Sequence, residues 1–370
     1  MRAMRRDKVL RFVTVAFAIG AFIGLISGLA FGGAPGLSTP NAAADTTDIT
    51  DEASDSTGGS EESLVASGPM TADKARAIGA NEMGQVLVLM YHHFADEESE
   101  WTRTPENFRR DIATLKAEGF YPVNVRDLAS GNIDIPAGKS PVVLTFDDSS
   151  PGQYRILEDE TLDPDCAVGI MRAAADEGDW TSRASFYCLL DVVPKERVVF
   201  GQDDRKQEKL RNLVDWGYEV GSHTVTHLNL SEASQAEATK QLAQSQQILE
   251  DYIGGGYEVT SIAIPFGEYP DSDTLLTGGT YQDVSYAYTA ALSVNGVPCP
   301  SPFSTKFKAL HIPRIRGSEP FLSNALKHFK DNPSLRYISD GDPTTVSAPA
   351  DLADALGEIS DSLGRPVVRY

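Results

Sequence analysis

Three cysteines in 370 residues allow at most one internal disulfide and leave one thiol over, so the chain is no disulfide-stapled scaffold. Cys166, Cys188 and Cys299 form no Cys-x-x-Cys pair, which excludes a cysteine-held metal cluster. Cys188 lies in the strand-like run ASFYCLL, where a packed thiol is expected. Basic residues are also scarce: 32 Lys and Arg stand against 53 Asp and Glu. Wrapping a phosphate backbone needs clustered positive charge, so nucleic acid is excluded as a partner. No internal repeat is visible. Apolar residues are plentiful at 41%, enough for one sizeable core or two modest ones.

The N-terminus reads as a membrane address. Arg2, Arg5, Arg6, Lys8 and Arg11 precede an uncharged stretch at 12–33. That stretch approaches the roughly 20 residues a helix needs to cross hydrocarbon. The expectation is a cytoplasmic flank (1–11), a transmembrane signal anchor (12–33) and an exported remainder. Ala42-Ala43-Ala44 keeps a cleaved signal peptide open as the alternative. Gly20, Gly24, Gly28 and Gly32 recur every fourth residue, which either lets two such helices pair or reflects the general frequency of glycine there. Residues 34–84 are rich in Ser, Thr, Asp and Gly, with too few large apolar groups to offset ordering entropy. A disordered acidic linker is expected.

Beyond it, short apolar runs alternate with helical patterns. The runs are VLVLMY, VVLTF, ASFYCLL, YEVGSH, SIAIPF, VSYAYTAALSV and LHIPRIRG. In PENFRRDIATLKAEGF, Phe108, Ile112 and Leu115 keep helical spacing and Gly119 closes the end. SEASQAEATKQLAQSQQILEDYIGGG opens at Ser231 as an N-cap. The alternation predicts an α/β fold, a parallel sheet or barrel with helices outside. In such folds chemistry gathers at the carboxyl ends of strands.

Four of those ends carry suitable groups. Asp147 and Asp148 follow VVLTF, His92 and His93 follow VLVLMY, His223 follows YEVGS, and Pro265-Phe266 end SIAIPF. In HTVTH the two histidines stand about 6 Å apart on a helix and about 13 Å apart on a strand, so only a folded turn lets both grip one ion. Two imidazoles and a carboxylate suit zinc with an open position for water. The adjacent acids then divide the labour, Asp148 as ligand and Asp147 ionised to accept the water's proton. The competing reading is an Asp pair that caps a turn, since Ser149, Ser150, Pro151 and Gly152 are turn-formers.

Thr145-Phe146-Asp147-Asp148 followed by HTVTH at 223–227 resembles the first two motifs of the polysaccharide deacetylases, carbohydrate esterase family 4. MYHHF at 90–94, the helix PENFRRDIATLKAEGFYPV and RASFY extend the likeness from about residue 86 to about 317. It implies a distorted (β/α) barrel of about seven parallel strands and a deacetylase domain over 85–330. The implied activity is metal-dependent hydrolysis of N-acetyl groups on an N-acetylglucosamine polymer of the cell envelope, peptidoglycan or poly-N-acetylglucosamine, by an exported enzyme.

By the same resemblance Asp147 is the general base. Asp148, His223 and His227 hold a divalent metal, zinc foremost, with cobalt or nickel as options. Pro265 and Phe266 match the third motif, whose backbone N–H at Phe266 would face the oxyanion. Two departures stand out. Ala263 sits where an arginine usually orients the base, and Trp101, Trp180 and Trp216 all precede the region that usually supplies a pocket tryptophan. Tyr286 and Tyr288 read as core. His311 is the candidate proton donor to the leaving amine, Arg314 the candidate to steady Asp147, and His92 a candidate rim contact. Glu268 reads as a solvated loop carboxylate. The departures motivate a rival reading, a non-catalytic carbohydrate-binding barrel. A metal-dependent phosphoesterase is weaker, because no basic cluster lies near these motifs to receive a phosphate. Residues 331–370 carry no assignable chemistry and are expected to pack on the barrel.

Overall fold

The computed structural model describes residues 68–361 and 364–370. The basic flank, the anchor expected at 12–33 with its glycine-mediated pairing, and the linker up to residue 67 lie outside the described residues. Among the described residues no helix is long and apolar enough to cross a membrane.

Order begins earlier than the linker expectation of 34–84 allows. Helix α1 (Ala72–Ile78) is capped by Thr71, whose hydroxyl accepts from the Lys74 N–H, and ends at Gly79 in the left-handed region. Ala75, Ala80 and Met83 are buried. Composition alone misses this because the partner surface is distant in sequence: Asn81 N–H donates to Ile338 O and Glu82 N–H to Ser347 O, each at 2.8 Å. Gly84 lets the two segments meet, since a Cβ there would come within 2.2 Å of the Arg336 backbone.

The chain then runs β1 (Leu87–Tyr91), β2 (His93–Phe94), β3 (Thr102–Arg103), α2 (Pro105–Ala117), β4 (Phe120–Val123), α3 (Val125–Ser130), β5 (Ser140–Asp147), α4 (Ala167–Asp176) and β6 (Ser185–Cys188). It continues through α5 (Lys206–Asp215), β7 (Glu219–Ser222), α6 (Gln235–Ile253), β8 (Ser261–Ala263), α7 (Thr274–Thr277) and the hairpin β9 (Gly279–Tyr281) and β10 (Val284–Tyr286). Last come β11 (Ala290–Leu292), β12 (Ile315–Arg316), α8 (Phe321–Asp331), β13 (Val346–Ala348) and β14 (Val367–Arg369). Helix α2 buries Phe108, Ile112 and Leu115, the spaced positions. Helix α6 starts at Ser234 rather than Ser231: the Ser234 hydroxyl accepts from Glu237 N–H, while Ser231 is drawn into a turn closed by the Asn229 side chain.

The main sheet has the order β11-β8-β7-β6-β5-β1-β12, with β4 paired to β5, and every pairing is parallel. The result is an α/β fold built on a curled parallel sheet. Its two edges are bridged by one segment, because Ile312 N–H donates to Ala291 O of β11 while Ile315 pairs with Leu89 of β1. That shared duty explains why the run LHIPRIRG yields a strand of only two residues. The run VSYAYTAALSV likewise splits, its first part in the antiparallel hairpin and its second in β11. Between the sheet and helix α2, Phe146 stacks on Phe186 at 4.7 Å between ring centroids and meets Phe108 edge-on. Beneath, Tyr337, Val346, Ala348 and Leu356 of the C-terminal segment are buried with Val86 and Val143. All three cysteines are buried and unbonded.

Candidate active site

Strands β1 and β5 are paired in the register Tyr91 to Phe146, so His92 just past β1 and Asp147 at the end of β5 emerge as neighbours. His92 Nε2 lies 3.9 Å from Asp147 Oδ2, and His93 Nε2 lies 3.8 Å from Asp148 Oδ2. The chain turns sharply there, with Asp148 and Ser149 at φ of 72° and 42°. The hydroxyls after the acids make the turn. Ser149 Oγ donates to Arg197 O at 2.8 Å and accepts from Leu189 N–H at 3.1 Å, and Ser150 Oγ donates to His92 O at 3.1 Å. The turn and the site are therefore the same object: serines close the loop and leave both carboxylates facing a cleft.

Asp147 is almost wholly buried, which by itself pushes its carboxyl up. The Arg314 guanidinium overcomes this, aided by His223, and holds the group well below the usual carboxylate range. Arg314 is also buried and grips both oxygens of Asp147, at 2.7 and 2.8 Å. It is itself fixed by bonds to Thr145 Oγ1 and Ser293 O, each at 3.1 Å.

HTVTH forms a folded turn, with Thr224 and His227 in the left-handed region. Gln241 Oε1 of α6 accepts from both Val225 N–H and Thr226 N–H, and Thr224 Oγ1 accepts from Leu228 N–H. The turn brings the two imidazoles to 4.8 Å between ring centroids. His223 Nδ1 sits 2.7 Å from Ala263 O, which places the proton on Nδ1 and leaves the Nε2 lone pair free. Asp148 Oδ1 lies 3.6 Å from Nε2 of both His223 and His227. That oxygen is buried and has no hydrogen-bond partner. A buried carboxylate oxygen rarely lacks one, and two imidazole nitrogens that converge on it are the donor set of a divalent cation. The residues present fit such an ion. Burial lowers the His227 imidazole to about 4 and so keeps it neutral, the state a ligand needs.

Residues 183–277, which span β6 through the HTVTH turn to β8 and α7, match the family model described as polysaccharide deacetylase. The likeness to the polysaccharide deacetylases is carried by this segment of the chain. Among solved structures it is similar to the Streptococcus pyogenes deacetylase PplD in complex with acetate, at 20% identity over 65% of this chain and 98% of that one, with a TM-score of 0.47. It is also similar to a polysaccharide deacetylase from Bacillus cereus, at 22% identity over 67% and 68% with a TM-score of 0.49. A third is IcaB from Ammonifex degensii, at 16% identity over 66% and 96% with a TM-score of 0.47. No curated protein sequence matches significantly. Members of the family are hydrolases.

The cleft has a volume of about 750 Å³ and is lined by His92, Trp101, Asp147, Asp148, His227 and Phe266, among others. Phe266 is exposed, in the left-handed region, with its ring 4.3 Å from that of His227, and Pro265 is buried behind it. Glu268 is exposed on the loop. Tyr286 and Tyr288 are core, their hydroxyls donating to Leu275 O and Leu242 O.

His311 is not part of the cleft, against the expectation that it protonates the amine. It ends a short 3-10 turn that aims its ring at Asp273, with Nε2 2.9 Å from the carboxylate, and it stacks on Tyr269 at 4.4 Å. Trp101 precedes the region that usually supplies the pocket tryptophan, yet it forms a cleft wall, edge-on to His92 at 4.7 Å and covered by the Arg316 guanidinium at 3.9 Å. Its signal was closeness to MYHHF: β2 and β3 pair His93 with Thr102, which brings the loop back to the rim. Ala263 is buried where the family's arginine would stand, and Arg314 reaches Asp147 from β12's side instead. Arg197 escaped sequence reasoning altogether; its Nη2 lies 2.6 Å from Asp148 Oδ2.

Proposed function

We propose that this cleft hydrolyses the N-acetyl amide of N-acetylglucosamine units in an envelope polysaccharide such as peptidoglycan or poly-N-acetylglucosamine. One observation carries the reading: a buried carboxylate kept ionised by a buried guanidinium stands beside a second carboxylate whose unpartnered oxygen faces two imidazoles. A site that only recognised sugar would have no use for the first acid in that state.

Asp148, His223 and His227 would hold the divalent ion, with zinc, cobalt and nickel as the candidates. When bound, the ion supplies Lewis acidity toward the amide carbonyl and toward water. Asp147 takes the proton of the attacking water, and Arg314 keeps it charged for that task. Protonated Asp147 is then a strong acid, because its surroundings favour the ionised form, and it returns the proton to the departing nitrogen. With His311 turned toward Asp273, Asp147 is the group on hand for both transfers. Burial holds His92 at about 4, so it meets substrate as a neutral hydrogen-bonding group. The Phe266 N–H is assigned to the oxyanion. Trp101 and Phe266 supply apolar faces for a sugar ring and the acetyl methyl. Export and tethering through residues 12–33 belong to the same proposal and rest on the sequence. The Arg314 pair with Asp147 and the Trp101 wall of the cleft support catalysis over the rival reading of a non-catalytic sugar-binding barrel.

The test is acetate release from chitooligosaccharides and from peptidoglycan by metal-analysed protein, with chelated protein as the control. Release that survives removal of the metal, or metal-loaded protein that releases none from either substrate, would refute the proposal.

A further inference from the structure

Each of the two adjacent carboxylates has its own cation. Asp147 has Arg314, and Asp148 has Arg197. Arg197 approaches Oδ2, the oxygen that also faces His93 at 3.8 Å, while Oδ1 faces His223 and His227. Its Nε is buried without a protein partner, so Asp148 is the group that orients the guanidinium.

The connection between β6 and α5 is built to deliver this side chain. Arg197 ends a 3-10 turn at Lys195–Arg197, and its carbonyl is held by the Ser149 hydroxyl. Phe200 N–H donates to Ser149 O at 2.9 Å. Lys209 of α5, fully buried, gives its ammonium to Phe200 O and Tyr154 O, each at 3.0 Å. Val199 and Phe200 lie in the left-handed region at φ of 44° and 65°, a conformation that is unfavourable for a β-branched residue. Strain of this kind persists where the surroundings over-determine a functional geometry. Here the strained, thrice-tied loop ends in one guanidinium on one carboxylate oxygen.

Resting on the metal-dependent reading above, we infer that Arg197 is a positioning residue that confines Asp148 to a one-oxygen grip on the ion and withholds part of its charge. With Oδ2 committed to Arg197, Asp148 cannot chelate through both oxygens and crowd the position a substrate carbonyl needs. A carboxylate that shares its charge with a guanidinium also attracts a dication less strongly and quenches its Lewis acidity less. Removal of Arg197 therefore strengthens ion binding and slows the reaction, whereas loss of a simple supporting hydrogen bond would weaken ion binding.

The test titrates Co²⁺ into the metal-free full chain by calorimetry, records the visible absorption of the complexes, and measures kcat and KM for acetate release. Arg197→Gln is expected to bind Co²⁺ about tenfold tighter, the ratio expected from removing one nearby unit charge at high screening. Its visible bands should weaken as a second oxygen enters, and kcat should fall about tenfold or more at nearly constant KM. Arg197→Lys should recover most of kcat. Ser149→Ala, which releases the loop but keeps the guanidinium, should move Co²⁺ affinity in the same direction and serves if the Gln variant does not fold. Unchanged affinity and spectrum, weaker binding, or a rise in KM at constant kcat would each overturn the inference. Failure of the parent chain to bind Co²⁺ would instead sink the metal-dependent reading itself.

Discussion

Replacing Arg314 by Met tests the electrostatic centre of the site. Both partners of the pair are buried, so the variant strands the Asp147 carboxylate in a medium that cannot solvate it. Breaking a buried pair from one side costs about 3–5 kcal/mol, a fall in melting temperature on the order of 10 °C for a chain of this size. The loss has a pH signature. In the parent, Asp147 is held well below its unfolded value, so its contribution is complete above that value and disappears only as pH falls through the depressed one. In the variant burial acts with much less opposition, the folded value rises above the unfolded one, and stability falls as pH rises through it. The gap between the two proteins therefore widens from acid pH, through about pH 4, toward neutrality and then levels. Urea unfolding followed by tryptophan fluorescence, in chelator at pH 4.5 and pH 8, reads the gap. A second change, Asp147→Asn, should return most of the loss at pH 8 because the amide needs no counter-charge. An equal loss at both pH values with no rescue would mean that Arg314 matters for its volume and not for its charge.

Other outcomes rest on the same geometry. Asp147→Asn should retain metal and lose acetate release by about 10²–10⁴-fold, whereas His223→Ala should lose both; a fully active Asn variant would end the general-base assignment. Trp101→Ala removes a cleft wall without touching the carboxylates, so KM for chitooligosaccharides should rise about tenfold while kcat changes little; an unchanged KM would remove Trp101 from substrate binding. Glu82 is buried beneath the sheet beside Asp340, and burial first, then that neighbour, raises its carboxyl to about 8. A folded value above the unfolded one makes stability fall as pH climbs between them. Glu82→Gln should thus match the parent within about 1 kcal/mol at pH 5 and exceed it by roughly 2–5 kcal/mol at pH 9 in denaturant titrations. The same difference at both pH values would show that Glu82 is already ionised in the fold.

Short-range pattern makes part of this molecule legible from its sequence. Alternating runs reveal the parallel sheet, and the rule that chemistry gathers at strand ends puts Asp147, Asp148, His223 and Phe266 at one rim. The spacing in HTVTH requires a folded turn, and Gln241 and Thr224 supply the bonds that fold it. Long-range decisions are not encoded that way. Residues 72–84 look too polar to order, and they order because segment 335–348 lies against them. His311 adjoins a strand-like run, but nothing in that run says which way a 3-10 turn will aim it. The acids show most clearly where the limit falls. Two neighbouring buried carboxylates repel each other, and both stay ionised only if positive charge stands close to each. DD at a buried rim therefore implies compensating positive charge, which a bound metal or basic side chains can supply. Arg314 is named from the sequence through the resemblance, whereas among 32 Lys and Arg only the strained loop after β6 singles out Arg197. A pair of like charges announces that counter-charge exists; local likeness points to Arg314, and the fold alone reveals Arg197.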